Sequence, residues 1–172
     1  MKDKLTKIIK TIFKKENMLY LAFYALLFTC FVVLIVLKAK LHPVVVSGAS
    51  MSPTYTNGEF LATKPLEKGE IPEVGSVVVF ARNDGKKLIK RVMAVPGDTI
   101  MIVDGVFYCN GEAVDDGFPA MEDPGWVLAQ ETVPENCIFV LGDNRNASSD
   151  SRIFGYINID EIFGVVIGQI AG

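Results

Sequence analysis

Residues 75–97 read GSVVVFARNDGKKLIKRVMAVPG and contain the strongest strand signal in the chain. Its first part, residues 76–81, is β-branched and apolar, as in a strand that is buried within a sheet. Residues 83–86 carry an Asn-Asp-Gly turn signal, and residues 87–95 follow as a second apolar run. A Pro-Gly pair then ends that run. The stretch therefore predicts a β-hairpin.

The rest of the chain after residue 40 also has the pattern of short strands separated by tight turns. No sustained 3.6-residue apolar pattern appears there, which argues against helices. Residues 112–132 are acidic and contain Gly and Pro, and residues 144–151 are polar, so both predict surface loops. The fold class is therefore mostly β, a compact antiparallel sheet or barrel-like domain. Further strands are predicted at residues 44–46, 59–63, 99–103, 106–109, 137–141 and 165–170.

The segment that precedes this β domain is strongly apolar. Residues 18–37, MLYLAFYALLFTCFVVLIVL, comprise 20 residues without a charge. As a helix they extend over about 30 Å, the thickness of a hydrocarbon core. The apolar region of a cleaved signal peptide is only about 7–15 residues long, and the KAKL that follows is a poor cleavage site. The sequence predicts one uncleaved N-terminal transmembrane helix.

The charges on either side of this helix predict its orientation. Six lysines precede it, and only Lys38 and Lys40 follow it closely. The positive-inside rule places residues 1–17 in the cytoplasm as a basic segment and residues 38–172 outside as the β domain. The chain is thus expected in the cell membrane as a single-pass type II protein. Residues 1–17 fit either an amphipathic helix on the inner leaflet or a frayed basic tail.

The charge and the cysteine content of the chain further limit the partners and cofactors to be expected. From residue 39 onward the sequence has 10 Lys and Arg against 18 Asp and Glu, although the whole chain carries a formal net charge of −3. An acidic domain does not attract phosphates, so nucleic acid is not an expected partner. Cys109 and Cys137 either pair outside the membrane or remain separate thiols. Their spacing has no metal signature, and no metal or cofactor is expected.

A serine and a lysine are the candidate reactive groups. Ser50 lies in the small-residue stretch SGASMSPT, residues 47–54, where the backbone can approach a substrate closely. A serine nucleophile needs a base, and the single histidine, His42, adjoins the apolar segment, so a Ser-His-Asp triad is not expected. Lys90 is flanked at period two by apolar residues, and burial would keep its amine neutral. Taken singly, the serine also fits an ordinary turn and the lysine an edge strand.

The polar segment GDNRNASSDSR, residues 142–152, is rich in hydrogen-bonding groups. It does not fit a calcium loop, because Arg145 and Ala147 occupy positions where oxygen ligands belong. Asn146 also begins a glycosylation sequon, a weak signal in a packed loop. The segment is interpreted as an ion-pair network, Asp150 with Arg152 or Arg145, that supports a neighbouring site.

Taken together, these segments resemble the bacterial type I signal peptidases, membrane-bound Ser/Lys leader peptidases. The resemblance runs from the anchor to near the C-terminus. Lys90 indicates the bacterial branch, because a histidine replaces this lysine in the eukaryotic and archaeal one, and the short domain resembles the Gram-positive form. The matching motifs, in order, are residues 50–54, residues 75–80, residues 90–92 with 96–98, and residues 142–145 with Ser148, Asp150, Ser151, Arg152 and Gly155.

The resemblance implies a role for each of these residues. Ser50 is the nucleophile, and its backbone N–H stabilises the oxyanion. Lys90 is the general base, Ser148 hydrogen-bonds and orients Lys90, and Asp150 and Arg152 support that loop. Some relatives have a serine hydroxyl as a second oxyanion donor two residues before the nucleophile. This chain has Gly48 there, so the second donor must be backbone or water.

The resemblance also implies a substrate and a setting. The substrates are signal peptides of exported preproteins, cleaved beside membrane lipid by an enzyme that functions as a monomer. Shallow apolar S1 and S3 sites would accept small side chains, although each lining residue also fits an ordinary core. Two alternatives are a self-cleaving repressor, which needs a DNA-binding domain, and a chaperone-like relative serving surface-protein assembly. The implied lining residues are Val44, Val46, Met51, Tyr55, Leu61, Val79, Leu88 and Ile89.

Overall fold

The computed structural model describes residues 15–39, 42–82, 85–122 and 127–171. The chain divides into two compact units, Met1–Lys40 and Leu41–Gly172. Helix α1 (Lys15–Ala39) includes the predicted span 18–37. Within the described residues, no helix reaches the combination of length and hydropathy that a membrane crossing requires. Most of the predicted basic segment, residues 1–14, lies outside the described residues.

The described residues of the second unit form eleven strands in two antiparallel sheets, as the strand-and-turn pattern predicts. The seven-stranded sheet has the order β1-β2-β11-β3-β4-β9-β10, and the four-stranded sheet the order β7-β6-β5-β8. Since β1 and β10 are its edges, the larger sheet is not closed into a barrel among the described strands. The strands are β1 (His42–Val45), β2 (Phe60–Lys64), β3 (Val77–Ala81), β4 (Lys87–Ala94), β5 (Thr99–Val103), β6 (Val106–Cys109), β7 (Glu112–Ala113), β8 (Leu128–Thr132), β9 (Cys137–Leu141), β10 (Ile157–Asn158) and β11 (Ile162–Ala171).

The predicted hairpin of β3 and β4 lies near the middle of the larger sheet. Val78 pairs with Lys90 and Phe80 with Leu88. The first four residues of β3 are all buried, because its two faces contribute to two different apolar clusters. This dual burial explains why β3 is continuously apolar rather than alternating. The hairpin therefore places Lys90 opposite Val78, beside a strand that is buried on both faces.

The segment 112–132 departs from the prediction of a surface loop. It contains β7 and β8, and β8 pairs with β5 at the edge of the smaller sheet. Four of the five residues of β8 are exposed, so no apolar alternation marked the strand in the sequence. A four-residue helix, α2 (Ser151–Phe154), and 3₁₀ turns at Arg145–Ala147 and Ile159–Glu161 complete the described elements.

The smaller sheet packs its own apolar cluster against β4 and β9. Phe107 of β6 stacks on Phe139 of β9, with ring centroids 5.7 Å apart. Cys109 and Cys137 lie partly buried beside this cluster as free thiols, so they do not pair. The smaller sheet is thus joined to the strands that carry the candidate site.

Candidate active site

The structure brings Ser50 and Lys90 into direct contact, although 40 positions separate them in the sequence. Lys90 Nζ lies 2.7 Å from Ser50 Oγ and donates to the Ile89 carbonyl at 2.8 Å. Ser50 lies in the turn that follows β1, and Lys90 is only 2% exposed on β4. A hydroxyl and an amine at this distance can exchange a proton directly.

Burial determines the charge of Lys90. Desolvation lowers its pKa from 10.5 to about 8, and the nearby carboxylates of Asp150 and Asp143 oppose part of that shift. No carboxylate forms an ion pair with Nζ among the described residues. A substantial fraction of the amine is therefore neutral in mildly alkaline solution, as a general base requires.

A loop of residues 142–148, here called the 142–148 loop, packs directly against the backbone of Ser50. Asn144 donates from its backbone N–H to the Ser50 carbonyl at 3.0 Å and from Nδ2 to the Ala49 carbonyl at 3.2 Å. Gly142 allows the close approach, because a Cβ at this position would lie 2.6 Å from the Ser50 oxygen and 2.1 Å from Ser148 Oγ. Any larger residue would displace Ser50 or Ser148.

Ser148 lies beside the site without the expected hydrogen bond. Its Oγ is buried and has no hydrogen-bond partner within the described part of the chain, so the predicted bond to Lys90 is not formed. Its side chain packs instead against Gly142, close to the Ser50 carbonyl. The structure thus brings Ser148 to the site, but by packing alone.

The predicted ion pair between Asp150 and Arg152 is present. Arg152 Nε and Nη2 donate to the two carboxylate oxygens of Asp150 at 2.7 and 2.8 Å. Asp150 is fully buried and also accepts from the Gly142 backbone N–H at 3.0 Å. Arg152 Nη2 donates further to the Arg145 carbonyl at 2.7 Å. The pair therefore holds both the start and the middle of the 142–148 loop.

Arg91 and Asp143 form a second ion pair that the sequence reasoning did not identify. Arg91 Nε and Nη2 donate to Asp143 at 2.8 and 2.6 Å, and Nη1 donates to the Gly75 carbonyl at 2.6 Å. The hydrogen bonds to Asp143 raise the pKa of Arg91 above its usual value. The sequence offered one signal for this pair: an arginine lies directly after Lys90, and an aspartate lies in the last motif.

A cleft of about 310 Å³ opens beside the two reactive side chains. Four of the eight predicted substrate-contact residues line it, namely Val44, Val79, Leu88 and Ile89. The other four do not: Val46, Met51 and Leu61 are buried in the apolar cluster beneath it, and Tyr55 packs against that cluster. Sequence reasoning missed Pro43, Val45, Ser47 and Lys87, which also line the cleft. The walls are mostly apolar and the serine and lysine lie at one side.

Gly48 and His42 complete the residues singled out from the sequence. Gly48 has φ of +94°, its N–H donates to Asn57 Oδ1 at 2.9 Å, and no atom lies within 4 Å of a Cβ built on it. His42 is exposed in β1, where its carbonyl accepts from Thr63, and it does not line the cleft. The geometry therefore gives Lys90, and not His42, access to the serine.

Comparison with known proteins agrees with this geometry. Residues 19–170 match the family described as signal peptidase, peptidase S26. The chain belongs to this family. A signal peptidase I from Bacillus caldolyticus is 36% identical over 140 residues, which cover 71% of this chain and 75% of the relative. A signal peptidase IB from Staphylococcus aureus strain N315 is 33% identical over 172 residues, covering 89% and 88%.

The resemblance seen in the sequence is thereby confirmed. As a member of the signal peptidase family the chain is a peptidase, and no finding favours a chaperone-like relative. A crystal structure of a signal peptidase I from Enterococcus faecalis is 27% identical, covers 56% of this chain and 97% of that protein, and has a TM-score of 0.47.

Proposed function

We propose that the chain is a membrane-anchored serine endopeptidase that removes N-terminal signal peptides from exported preproteins. The observation that best supports this proposal is the 2.7 Å contact between Ser50 Oγ and the buried amine of Lys90. The names of the relatives, signal peptidase I and IB, supply the substrate class.

The proposed reaction proceeds through an acyl-enzyme. Neutral Lys90 takes the proton of Ser50 while Oγ attacks the scissile carbonyl, and the Ser50 backbone N–H donates to the oxyanion that forms. The protonated lysine then gives its proton to the leaving amine, which departs with the mature protein. In the second half Lys90 deprotonates a water, which hydrolyses the ester and restores Ser50.

The cleft supports a preference for small apolar side chains at the cleavage site. Its volume of about 310 Å³ has to accommodate an extended peptide and two side chains, and its walls are mainly Val, Leu, Ile and Pro. Alanine at the positions that enter the cleft satisfies both limits, since it adds little volume and no buried polar group. We therefore propose Ala-x-Ala as the preferred sequence before the cleaved bond.

The membrane anchor is proposed from the sequence. Residues 18–37 carry no charge and lysines concentrate before them, which together favour a span with the β domain outside the cell. An anchor would raise the local concentration of substrates held in the same membrane. A protein starting at Leu41 should then cleave short peptides like the full chain but process membrane-embedded preproteins more slowly. Equal rates on membrane-embedded preproteins would refute the anchor's role.

The decisive test is cleavage of a preprotein with an Ala-x-Ala site by the purified full chain, followed by N-terminal sequencing of the product. The proposal predicts one new N-terminus directly after the second alanine and no product with the Ser50→Ala variant. Replacing that alanine of the substrate with a large residue provides the matched substrate control. Absence of cleavage, or cleavage that survives in Ser50→Ala, would refute the proposed function.

A further inference from the structure

Residues 114–122, here called the brace, connect the smaller sheet to the candidate active site. Its two ends are tied to the smaller sheet, because Val114 N–H donates to the Phe107 carbonyl at 2.9 Å and Met121 N–H to the Gly105 carbonyl at 3.2 Å. Met121 is also buried in the apolar cluster of that sheet. The middle of the brace is therefore held at a fixed place next to the site.

The middle of the brace presents an aromatic ring to two guanidinium groups. Phe118 lies with its ring centroid 5.1 Å from Arg91 Cζ and 5.5 Å from Arg145 Cζ. Asp116, two residues earlier, forms an ion pair with Arg145, while Asp143 pairs with Arg91. Two positive and two negative charges thus surround one ring. This arrangement gives each guanidinium a carboxylate partner and a ring contact, although the two positive charges lie close together.

These two arginines hold consecutive residues of the 142–148 loop. Arg145 Nε donates to the Gly142 carbonyl at 3.0 Å, and Arg91 binds both carboxylate oxygens of Asp143. The backbone N–H of the residue that follows donates to the Ser50 carbonyl at 3.0 Å. Direct contacts therefore connect the brace to the nucleophile through the two arginines and the 142–148 loop.

A second tether joins the brace to the same loop. The backbone N–H of Glu122 donates to Asn146 Oδ1 at 2.8 Å. The brace thus contacts the loop through one ion pair, one ring and one backbone hydrogen bond. None of the residues of the brace lines the cleft.

We propose that the brace is a positioning segment, which holds Arg91 and Arg145 so that the 142–148 loop keeps Ser50 aligned with Lys90. The proposal rests on the proposed function, because alignment matters only if this pair performs the chemistry. Since the brace acts through the loop and not through the cleft, its loss should lower kcat and leave KM nearly unchanged. A small displacement of a nucleophile lowers the rate by up to roughly 100-fold.

The test uses full-length variants of the brace with a matched control. Asp116→Asn removes the ion pair with Arg145, and Phe118→Leu removes the ring, whereas Phe118→Tyr retains it. Asp115→Asn is the control, because this neighbouring carboxylate is exposed. It accepts from the Gly117 N–H at 3.2 Å, a contact that asparagine keeps. The measurements are kcat and KM on the Ala-x-Ala preprotein, and amide hydrogen exchange across residues 137–148.

Asp116→Asn and Phe118→Leu should each lower kcat roughly 10- to 100-fold, with KM within about twofold of the original. Phe118→Tyr and Asp115→Asn should stay within about twofold in both. The first two variants should also speed amide exchange in the 142–148 loop at least about tenfold while leaving β9 protected, which separates local release from global unfolding.

Unchanged loop exchange in both Asp116→Asn and Phe118→Leu would overturn the brace, whether or not the substrate assignment holds. So would faster exchange throughout β9, which would indicate a general loss of stability, or equal kcat loss in Asp115→Asn. Failure of the original chain to cleave the preprotein, with faster loop exchange in the variants, would count against the proposed function and still support the brace as a structural link.

Discussion

Lys90 and Arg91 are neighbours on β4, yet the protein treats their charges in opposite ways. Lys90 is buried, no carboxylate of the described residues is bonded to its amine, and its pKa falls to about 8. Arg91 is partly buried on the other side of the strand, where Asp143 binds it through two hydrogen bonds and raises its pKa. The two side chains thus differ in having a carboxylate partner, in addition to the stronger basicity of a guanidinium.

The comparison distinguishes a reactive side chain, Lys90, from a side chain with a structural role, Arg91. Burial without a partner leaves a cation unstable, so the amine releases its proton and can accept another from a hydroxyl. A guanidinium stays charged even when it is partly buried, and the bidentate carboxylate bound to it fixes the loop that carries that carboxylate. One strand thus supplies both a base and a structural ion, on opposite faces.

The largest expected effect tests the reactive side of the strand. Lys90→Ala, Lys90→Arg and Ser50→Ala should each lower kcat by at least about 10³-fold, because the two residues act as a unit. Lys90→Arg is informative, since it keeps a positive charge on a long side chain, but a guanidinium does not lose its proton. His42→Ala is the control and should be nearly silent in the same preprotein assay. Substantial activity in Lys90→Arg would show that a neutral base is not needed.

The pH dependence should reveal the lowered pKa directly. Protonated Lys90 cannot take the serine proton, so kcat/KM should rise about tenfold per pH unit below pH 8 and level off above it. Between pH 6 and 8 this amounts to about 50-fold, and between pH 6 and the plateau to about 100-fold. The rate of the original chain should be measured from pH 6 to 10 on a substrate without titratable groups near the cut. A flat profile would contradict a lysine base.

Replacement of Lys90 and of Arg91 should change the free energy of unfolding in opposite directions. A lysine whose pKa is lower in the folded protein is destabilising below about pH 8, and this penalty is lost as the pH rises towards 10.5. Lys90→Met should therefore raise the free energy of unfolding at pH 7, by up to about 3 kcal/mol for a shift from 10.5 to about 8. Arg91→Met should lower it by about 3 kcal/mol, because Asp143 loses its partner.

Thermal unfolding of the full chain in detergent, followed by circular dichroism, would check both signs. Lys87→Met is a matched control, since this lysine lies on the same strand but is exposed. Destabilisation of similar size by Lys90→Met and Arg91→Met would remove the distinction between the two sides of β4.

The smallest expected effect concerns Gly48, which lies two residues before Ser50. Its φ of +94° is unfavourable for any other residue, although a Cβ would meet no atom. Gly48→Ala and Gly48→Ser should therefore lower kcat equally and by only a few-fold in the peptide assay. A gain in Gly48→Ser alone would instead identify a vacant donor position beside the oxyanion.

The central hairpin and the two reactive residues could be predicted because their signals are local. An apolar run, a turn and a second run specify β3 and β4, and a serine and a lysine in apolar company are unusual enough to stand out. The exposed edge strand β8 lacked such a signal, because four of its five residues face water. Secondary structure of this kind depends on a partner strand and not on its own pattern.

The partners of the arginines could not be predicted for a different reason. Arg91 and Asp143 are 52 positions apart, and Arg145 pairs with Asp116, not Asp150. Charge alone does not choose among several aspartates in the same region. Likewise, Val46 and Met51 were expected in the cleft but lie beneath it, since an apolar side chain near a site fits core and lining equally well.

The position of β11 has a consequence for the order of events in biosynthesis. This strand follows the other described strands in the sequence, yet it lies between β2 and β3 and pairs with both. While the polypeptide is being made, the turn with Ser50 and the strand with Lys90 are both complete before the strand that joins their parts of the sheet exists. A nascent chain should therefore be proteolytically silent until β11 has been inserted, so that the enzyme acquires its activity in one late step and not gradually.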